Sequence, residues 1–143
     1  MKKNTLVSSE EDEQIAVIQY CDLLGIPVMH TANEGKRSAA YGARLKRMGL
    51  RPGFPDLLIT RARGVYHGFA IEMKYGNNKP TKDQIEWLRT LKYEGYATAV
   101  CYSASEAIKL IDKYLAQNEE EKCDGKTQNI LSLGDTKHSG EYC

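Results

Sequence analysis

A chain of 143 residues with 41% apolar residues has the length and composition of one globular domain with a modest core. No stretch approaches the roughly 18 to 20 uninterrupted apolar residues of a membrane helix, and no signal-peptide core follows the N-terminal Met-Lys-Lys-Asn. We therefore expect an intracellular protein with no membrane partner. The four cysteines show no paired CxxC spacing, which favours reduced thiols over a metal or disulfide framework.

The net charge of +1 hides an uneven distribution of charged residues. Residues 116–143 contain three Lys and six acids, which leaves 17 basic and 13 acidic groups, a net charge of +4, in residues 1–115. The segment from Gly35 to Pro55 contains no acid and six basic residues: Lys36, Arg37, Arg44, Lys46, Arg47 and Arg51. Because solvated helix faces normally mix both signs, this segment favours a nucleic-acid phosphate backbone as its partner.

The first half of the chain reads as helix, short strand and helix. Ser8-Ser9 and four following acids suit a helix start, and apolar residues then recur at helical spacing, which predicts a helix over residues 9–24. An extended stretch follows over residues 26–30. A second helix is predicted for about residues 37–48, ending at Gly49.

The second half contains three strands and two helices. Residues 56–60 and 68–74 are predicted to form an antiparallel hairpin around Gly64. Thr81 caps a third helix that ends near Gly95, residues 96–102 form a strand, and Ser103 caps a last helix that ends at Leu115. The order αβαββαβα predicts an α/β fold with a central sheet flanked by helices.

Beyond Leu115 the sequence becomes polar and acidic. Residues 116–143 contain Glu119-Glu120-Glu121 and a small apolar island at residues 130–133. This composition predicts a disordered tail, so residues 1–115 are expected to be the folded domain.

Asp56, Glu72 and Lys74 form the candidate catalytic group. Since successive side chains of a strand point to opposite faces, Glu72 and Lys74 share one face of their strand. Asp56 opens the neighbouring strand, where its carboxylate could approach Glu72 across the pair. Two convergent carboxylates supply the oxygen ligands that Mg²⁺ or Mn²⁺ prefers, and an adjacent lysine can assist hydrolysis of a phosphodiester. Taken alone, Glu72 and Lys74 could equally form an exposed ion pair.

Three segments in this order resemble the successive motifs of the VRR-NUC family within the PD-(D/E)xK nucleases. They are Gly53-Phe54-Pro55-Asp56-Leu57-Leu58, Ile71-Glu72-Met73-Lys74, and Lys79-Pro80-Thr81-Lys82-Asp83-Gln84-Ile85-Glu86-Trp87-Leu88, followed by Gly95-Tyr96. The likeness runs from about Ser9 to Leu115 and is nearest to small stand-alone phage-type members. If the origin is phage or bacterial, the cytoplasm of a bacterial host is the expected location.

The resemblance implies a PD-(D/E)xK restriction-endonuclease-like core with a mixed central sheet. It implies a Mg²⁺- or Mn²⁺-dependent DNA endonuclease, selective for Holliday junctions or flap-like DNA, which acts as a homodimer without a small-molecule cofactor. Two alternatives remain open from the residues alone. The chain could be a catalytically inactive DNA-binding module, or it could nick linear duplex DNA.

The resemblance also assigns roles to individual residues. Asp56 and Glu72 match the metal-binding acids, Lys74 matches the catalytic lysine, and Gln84 matches a polar residue close to the site. The remaining acid of the family lies on helix one.

Glu13 is the predicted helix-one acid, because helical spacing places it above Val17 on the inward stripe. Glu10, one turn earlier, is the alternative. The predicted contacts to DNA phosphates are Lys36, Arg37, Arg44, Lys46 and Arg47. Trp87 and Tyr96 are predicted to be core aromatics, with base-stacking platforms as the alternative, and His30 and His67 are predicted to be structural.

Overall fold

Four helices and four strands follow one another in the predicted order over the residues that the computed structural model describes, 9–31 and 38–117. They are α1 (Glu10–Leu23), β1 (Val28–His30), α2 (Ala39–Arg47), β2 (Leu57–Ile59), β3 (Phe69–Met73), α3 (Lys82–Tyr93), β4 (Ala97–Cys101) and α4 (Ala104–Leu115). Each element lies inside the range predicted from the sequence. None of these helices is long and apolar enough to span a bilayer.

Three of the helices begin at hydroxyl residues that the sequence marks as caps. The Ser9 side chain accepts a hydrogen bond from the N–H of Asp12, and the Asp12 carboxylate accepts one from the N–H of Ser9. Thr81 and Gln84 form the same reciprocal pair at the start of α3, and Ser103 caps α4. These bonds satisfy N–H groups that have no partner within the helix, so local sequence sets where each helix starts.

The four strands form one mixed sheet in the order β1-β2-β3-β4. β2 pairs antiparallel with both β1 and β3, which confirms the predicted hairpin. Gly64, at a φ of 53°, lies in the hairpin connection beside the bridge between Arg63 and Tyr66. The crossover through α3 brings β4 back parallel to β3.

Every residue of β3 is buried, which shows that both faces of the sheet centre are covered. On one face Phe69, Ile71 and Met73 join Val17 of α1 and Tyr114 of α4 in the apolar core. The rings of Phe69 and Tyr114 are 5.1 Å apart. α3 packs against β3 and β4 but adds none of its residues to this cluster, so it covers the other face, where the alternation of side chains places Glu72.

α2 lies on the protein surface. None of its nine residues is buried, and its basic residues Arg44, Lys46 and Arg47 are all exposed. Its N-terminus is capped by Ser38, whose hydroxyl accepts a hydrogen bond from the N–H of Tyr41. The helix therefore presents its cationic side chains to solvent, as a phosphate-binding element must.

Most of the predicted tail, residues 118–143, lies outside the described residues. Ala116 forms the C-cap of α4, and its N–H donates to the carbonyl of Asp112. Cys21 and Cys101 are buried free thiols, as predicted. Burial raises the pKa of Cys101 to about 12, so this thiol stays protonated and unreactive at neutral pH.

Candidate active site

Strand pairing brings the carboxylates of Asp56 and Glu72 together. Leu57 pairs with Ile71 between β2 and β3, so Asp56 stands opposite Glu72 one step further along the same register. The Asp56 Oδ2 atom accepts a hydrogen bond of 2.8 Å from the buried N–H of Met73. This bond ties the Asp56 carboxylate to the neighbouring strand beside Glu72, as the sequence predicted.

Lys74 forms a close ion pair with Glu72. Its Nζ atom lies 2.6 Å from Glu72 Oε1, and both side chains are buried. Burial is the largest influence on the pKa of Lys74 and lowers it. The hydrogen bond that Lys74 donates to Glu72 and the charges of Glu72, Glu10 and Asp56 together outweigh burial and raise that pKa above its ordinary value. Lys74 is therefore a fixed cation at neutral pH.

The contacts of the Glu72 carboxylate do not offset the free energy that its burial costs. Burial raises its pKa to about 7, the hydrogen bond with Lys74 opposes that rise, and the charge of Asp56 adds to it. Within the described residues, Glu72 Oε2 is buried and accepts no hydrogen bond. Since an unsatisfied buried carboxylate oxygen is costly, the arrangement favours a cation at this position.

The donor set fits a hard divalent cation, although a formed site is not visible. No group of three or more His, Cys, Asp or Glu side chains in residues 9–31 and 38–117 has the geometry to hold a metal. The fit rests on two oxygen-donor side chains, Asp56 and Glu72, that face each other across a strand pair, and on the unsatisfied Glu72 oxygen. Oxygen donors with open positions match Mg²⁺ or Mn²⁺.

A hydrogen bond of Glu13 and the charge of Glu10 distinguish the two candidates for the helix-one acid. Glu13 Oε2 accepts a hydrogen bond of 2.6 Å from the N–H of Ala104, so Glu13 caps the N-terminus of α4. Glu10 is the helix-one acid whose charge raises the pKa values of both Glu72 and Lys74. Val17 lies on the buried side of α1, and the hydrogen bond from Ala104 shows that α4 is the neighbour of this side at the level of Glu13.

Gln84 is buried in the first turn of α3, on the sheet face that carries Glu72. Its Oε1 atom accepts a hydrogen bond of 2.8 Å from the N–H of Thr81, which leaves the Nε2 donor for another acceptor. The loop before Asp56 packs on the same turn. An added Cβ at Gly53 would lie 2.5 Å from the carbonyl carbon of Asp83, so the loop and the helix are in direct contact.

The end of β1 holds the backbone of Asp56, a role that the sequence did not reveal. His30 Nδ1 lies 2.9 Å from the carbonyl oxygen of Asp56, and the N–H of Thr31 donates to the same oxygen at 2.9 Å. His30 Nδ1 also lies 3.1 Å from Nε2 of Gln14, so this ring nitrogen links α1 to the end of β1 and to the backbone of Asp56. The antiparallel pairing of His30 with Leu57 creates the contact with Asp56, and only the sheet register could have indicated it.

The predicted phosphate-binding residues divide into two groups. Arg44, Lys46 and Arg47 are exposed on α2, whose chain continues through Arg51 into the loop that ends at Asp56. Lys36 and Arg37 lie outside the described residues. The structure thus supports solvent access for three of the five residues.

Comparison with known proteins identifies the relatives of this arrangement. The family model described as the VRR-NUC domain matches residues 8–105. This chain belongs to the VRR-NUC family. It is also similar to a solved structure described as a VRR_NUC domain protein, with 31% sequence identity, a TM-score of 0.68, and coverage of 78% of this chain and 91% of that one. Among curated proteins, none matches the chain.

Membership in the VRR-NUC family makes the chain a nuclease domain, with DNA as the implied substrate. The matched region contains Asp56, Glu72, Lys74 and Gln84, together with both acids considered on α1. The mixed four-stranded sheet with flanking helices agrees with the fold of the solved VRR-NUC structure. The matched region ends at residue 105, just inside α4, and does not include the acidic tail.

Proposed function

We propose that this VRR-NUC domain is a Mg²⁺- or Mn²⁺-dependent endonuclease that hydrolyses phosphodiester bonds in branched or flap-like DNA. The observation that carries the proposal is the buried group of Asp56, Glu72 and Lys74. It combines two facing carboxylates with a lysine 2.6 Å from one of them and leaves one carboxylate oxygen without a hydrogen bond.

Asp56 and Glu72 are the proposed metal ligands, and Glu10, in place of the predicted Glu13, is a third acid whose charge acts on Glu72 and Lys74. When bound, the metal supplies a Lewis acid for the phosphate and lowers the pKa of a bound water. The two carboxylates place like charges side by side in a buried site. Lys74 offsets part of their mutual repulsion, and a bound divalent cation would offset the rest.

Lys74 stabilises the negative charge that develops on the phosphate oxygens as water attacks phosphorus. The new bond joins a water oxygen to phosphorus, the bond from phosphorus to one sugar oxygen breaks, and that oxygen leaves with a proton as a hydroxyl. The ion pair with Glu72 fixes the Nζ atom in place, so little reorganisation is needed during reaction. Gln84 can direct its Nε2 donor at a phosphate oxygen.

The preference for branched DNA rests on the family resemblance and on the exposed cationic helix α2. Arg44, Lys46 and Arg47 would contact backbone phosphates outside the scissile position. A homodimer would present two such sites to two strands of a junction. Native mass measurement would detect the dimer.

Cleavage assays with the purified protein test this proposal. A four-way junction, a flap, a duplex and a single strand are incubated with Mg²⁺ or Mn²⁺, and with EDTA as the metal-free control. We expect cutting of the branched substrates only with metal, and losses of about 100-fold or more for Glu72→Gln and Lys74→Ala. Lys109→Ala, an exposed lysine of α4, is the matched control.

Full activity in either active-site variant or in EDTA would contradict the proposal. Salt-sensitive binding without cleavage in both metals would instead indicate a DNA-binding module. Equal cutting of linear duplex and junction would support metal-dependent hydrolysis and contradict the preference for branched DNA.

A further inference from the structure

A groove of about 320 Å³ lies outside the catalytic group, along one face of α3. Its lining residues are Arg51, Pro52, Asp83, Glu86, Trp87 and Thr90. The four α3 residues follow the spacing i, i+3, i+4, i+7, so they form one helical stripe. The segment that joins α2 to β2 provides the opposite wall. The groove therefore lies between the segment that follows α2 and the face of α3 that begins at Asp83, next to Gln84.

The indole ring of Trp87 is held in a defined orientation in this groove. Its Nε1 atom donates a hydrogen bond of 3.0 Å to the carbonyl of Pro52, and the edge of Phe54 contacts it at a centroid distance of 5.0 Å and an angle of 67°. Trp87 remains partly exposed, in contrast to its predicted core role. A fixed, accessible aromatic surface suits a flat ligand, because little side-chain entropy is lost on binding.

The two acids of the groove disfavour a phosphate as its ligand. Asp83 and Glu86 place two exposed carboxylates on the rim, and these repel an anion. Arg51 faces them with a guanidinium whose Nη1 donates to the carbonyls of Lys46 and Leu50. A neutral ring suits this groove, because its amino groups can donate to the carboxylates of Asp83 or Glu86 and its apolar face can stack on Trp87. Nucleobases have that chemistry.

We infer that this groove binds one unpaired nucleobase of the DNA substrate, stacked against Trp87 with an exocyclic amino group directed at Asp83 or Glu86. Adenine, cytosine and guanine carry such amino groups and thymine does not, so thymine binds least well. Bases inside a duplex are covered by their neighbours and are excluded. The inference rests on the proposed function because it takes DNA as the ligand.

The groove lies next to the segments that carry Asp56 and Gln84, so binding of a base there would affect cleavage. Pro52 precedes Asp56 by one short loop, and Asp83 precedes Gln84 on α3. Gly53 packs directly against Asp83, so the groove wall and the catalytic segments form one contact region. An unpaired base held here would place the neighbouring backbone near the catalytic group, which selects substrates with unpaired nucleotides.

Intrinsic fluorescence tests the inference, because Trp87 is the sole tryptophan of the chain. The full-length protein is titrated in EDTA with four probes of equal length. They are a mixed adenine and cytosine single strand, an oligothymidine, a strand of abasic nucleotides, and a duplex. We expect quenching by the mixed strand, weaker quenching by oligothymidine, and none by the abasic strand or the duplex. Equal quenching by mixed and abasic strands, or no quenching by either, would overturn the inference.

Substitution adds a measurement that does not depend on the tryptophan signal. Trp87→Leu is expected to weaken binding of a labelled mixed single strand by roughly 5- to 150-fold in anisotropy titrations, while Trp87→Phe largely retains binding. Tyr93→Leu, an aromatic residue of the same helix that is 89% exposed and outside the groove, is the matched control. Equal affinity in the Leu and Phe variants, with circular dichroism showing both folded, would contradict stacking.

The two proposals fail in distinguishable ways. Metal-dependent cleavage without fluorescence quenching would overturn the groove and leave the nuclease proposal intact. Quenching without cleavage in Mg²⁺ or Mn²⁺ would support the groove and overturn the nuclease proposal.

Discussion

Glu72 combines full burial, an ion pair with Lys74 and an adjacent carboxylate from Asp56. In the absence of a bound cation, burial favours the protonated form of Glu72, and its pKa is raised from 4.5 to about 7. A catalytic metal ligand needs the ionised form. If Glu72 binds a metal as proposed, the bound cation would offset the free energy that burial of the ionised carboxylate costs.

The pH dependence of stability follows from that pKa with a defined sign. Because the folded-state pKa exceeds the unfolded value, the folded protein binds more protons than the unfolded chain between pH 4.5 and 7. The contribution of Glu72 to the free energy of unfolding is complete below pH 4.5 and is lost as the pH rises through about 7. The loss over this range is roughly 3 kcal/mol. Urea unfolding in EDTA at pH 5 and pH 8 would measure the loss.

Two comparisons attribute the effect to Glu72. Glu72→Gln should show little of the decrease between pH 5 and pH 8, since the amide does not titrate. Addition of Mg²⁺ at pH 8 should raise the stability of the unmodified protein and leave that of Glu72→Gln nearly unchanged. A pH dependence that persists unaltered in the variant would contradict the assignment.

The two acids of α1 should respond differently to substitution. Glu10→Gln is expected to lower cleavage by about 10- to 100-fold with little loss of stability, because its charge acts on Glu72 and Lys74. Glu13→Gln is expected to lower the unfolding free energy by about 1 kcal/mol, because its carboxylate caps α4. Activity assays and urea unfolding separate the two, with the exposed Glu11→Gln as control.

At the scale of elements, the contact between Gly53 and Asp83 links the segment that leads to Asp56 with the first turn of α3, which carries Gln84. Gly53 has a φ of 81°, and an added Cβ would lie 2.5 Å from a backbone atom of Asp83. Gly53→Ala should therefore lower the unfolding free energy by about 2–4 kcal/mol and reduce cleavage as α3 shifts.

Gly76→Ala provides the matched control for this contact. Gly76 has a similar positive φ of 58°, but an added Cβ there would meet nothing within 4 Å. Its substitution should cost only about 1 kcal/mol. Equal losses of stability in the two variants would mean that backbone conformation alone, and not packing against α3, constrains Gly53.

The exposed helix α2 should contribute to DNA affinity without contributing to chemistry. If Arg44 and Arg47 contact phosphates, each substitution by Ala should reduce the slope of log affinity against log salt by about one. Duplex binding measured between 50 and 200 mM salt would show this change. Lys109→Ala on α4 should leave the slope unaltered.

At the scale of the whole molecule, the uneven charge distribution separates a basic domain from an acidic C-terminal segment. Residues 116–143 contain six acids and three Lys. We predict that this segment competes with DNA for the basic surface and lowers non-specific affinity. Truncation after Gln117, which retains the α4 cap, should tighten duplex binding at low salt. Unchanged affinity in titrations of the truncated protein would refute the competition.

Much of the fold could be predicted because its signals are local. Ser9, Thr81 and Ser103 mark helix starts by their own hydroxyl groups, and the period-two pattern identifies the strands. The approach of Asp56 to Glu72 was also predictable, because a shift of the register by one residue would turn the apolar side chains of one strand away from the core. The choice between Glu10 and Glu13 was not, since helical spacing gives the inward direction but not which neighbour lies there.

The sequence by itself determined the order of elements, the strand pair that joins Asp56 to Glu72, and the nuclease motifs, because periodicity, caps and turns act over a few residues. The tertiary structure decided the burial and raised pKa of Glu72, the capping role of Glu13, and the exposed groove around Trp87. These properties depend on how α1, α3 and α4 pack around the sheet. Contacts between residues far apart in the chain, whose partners no local pattern specifies, determine that packing.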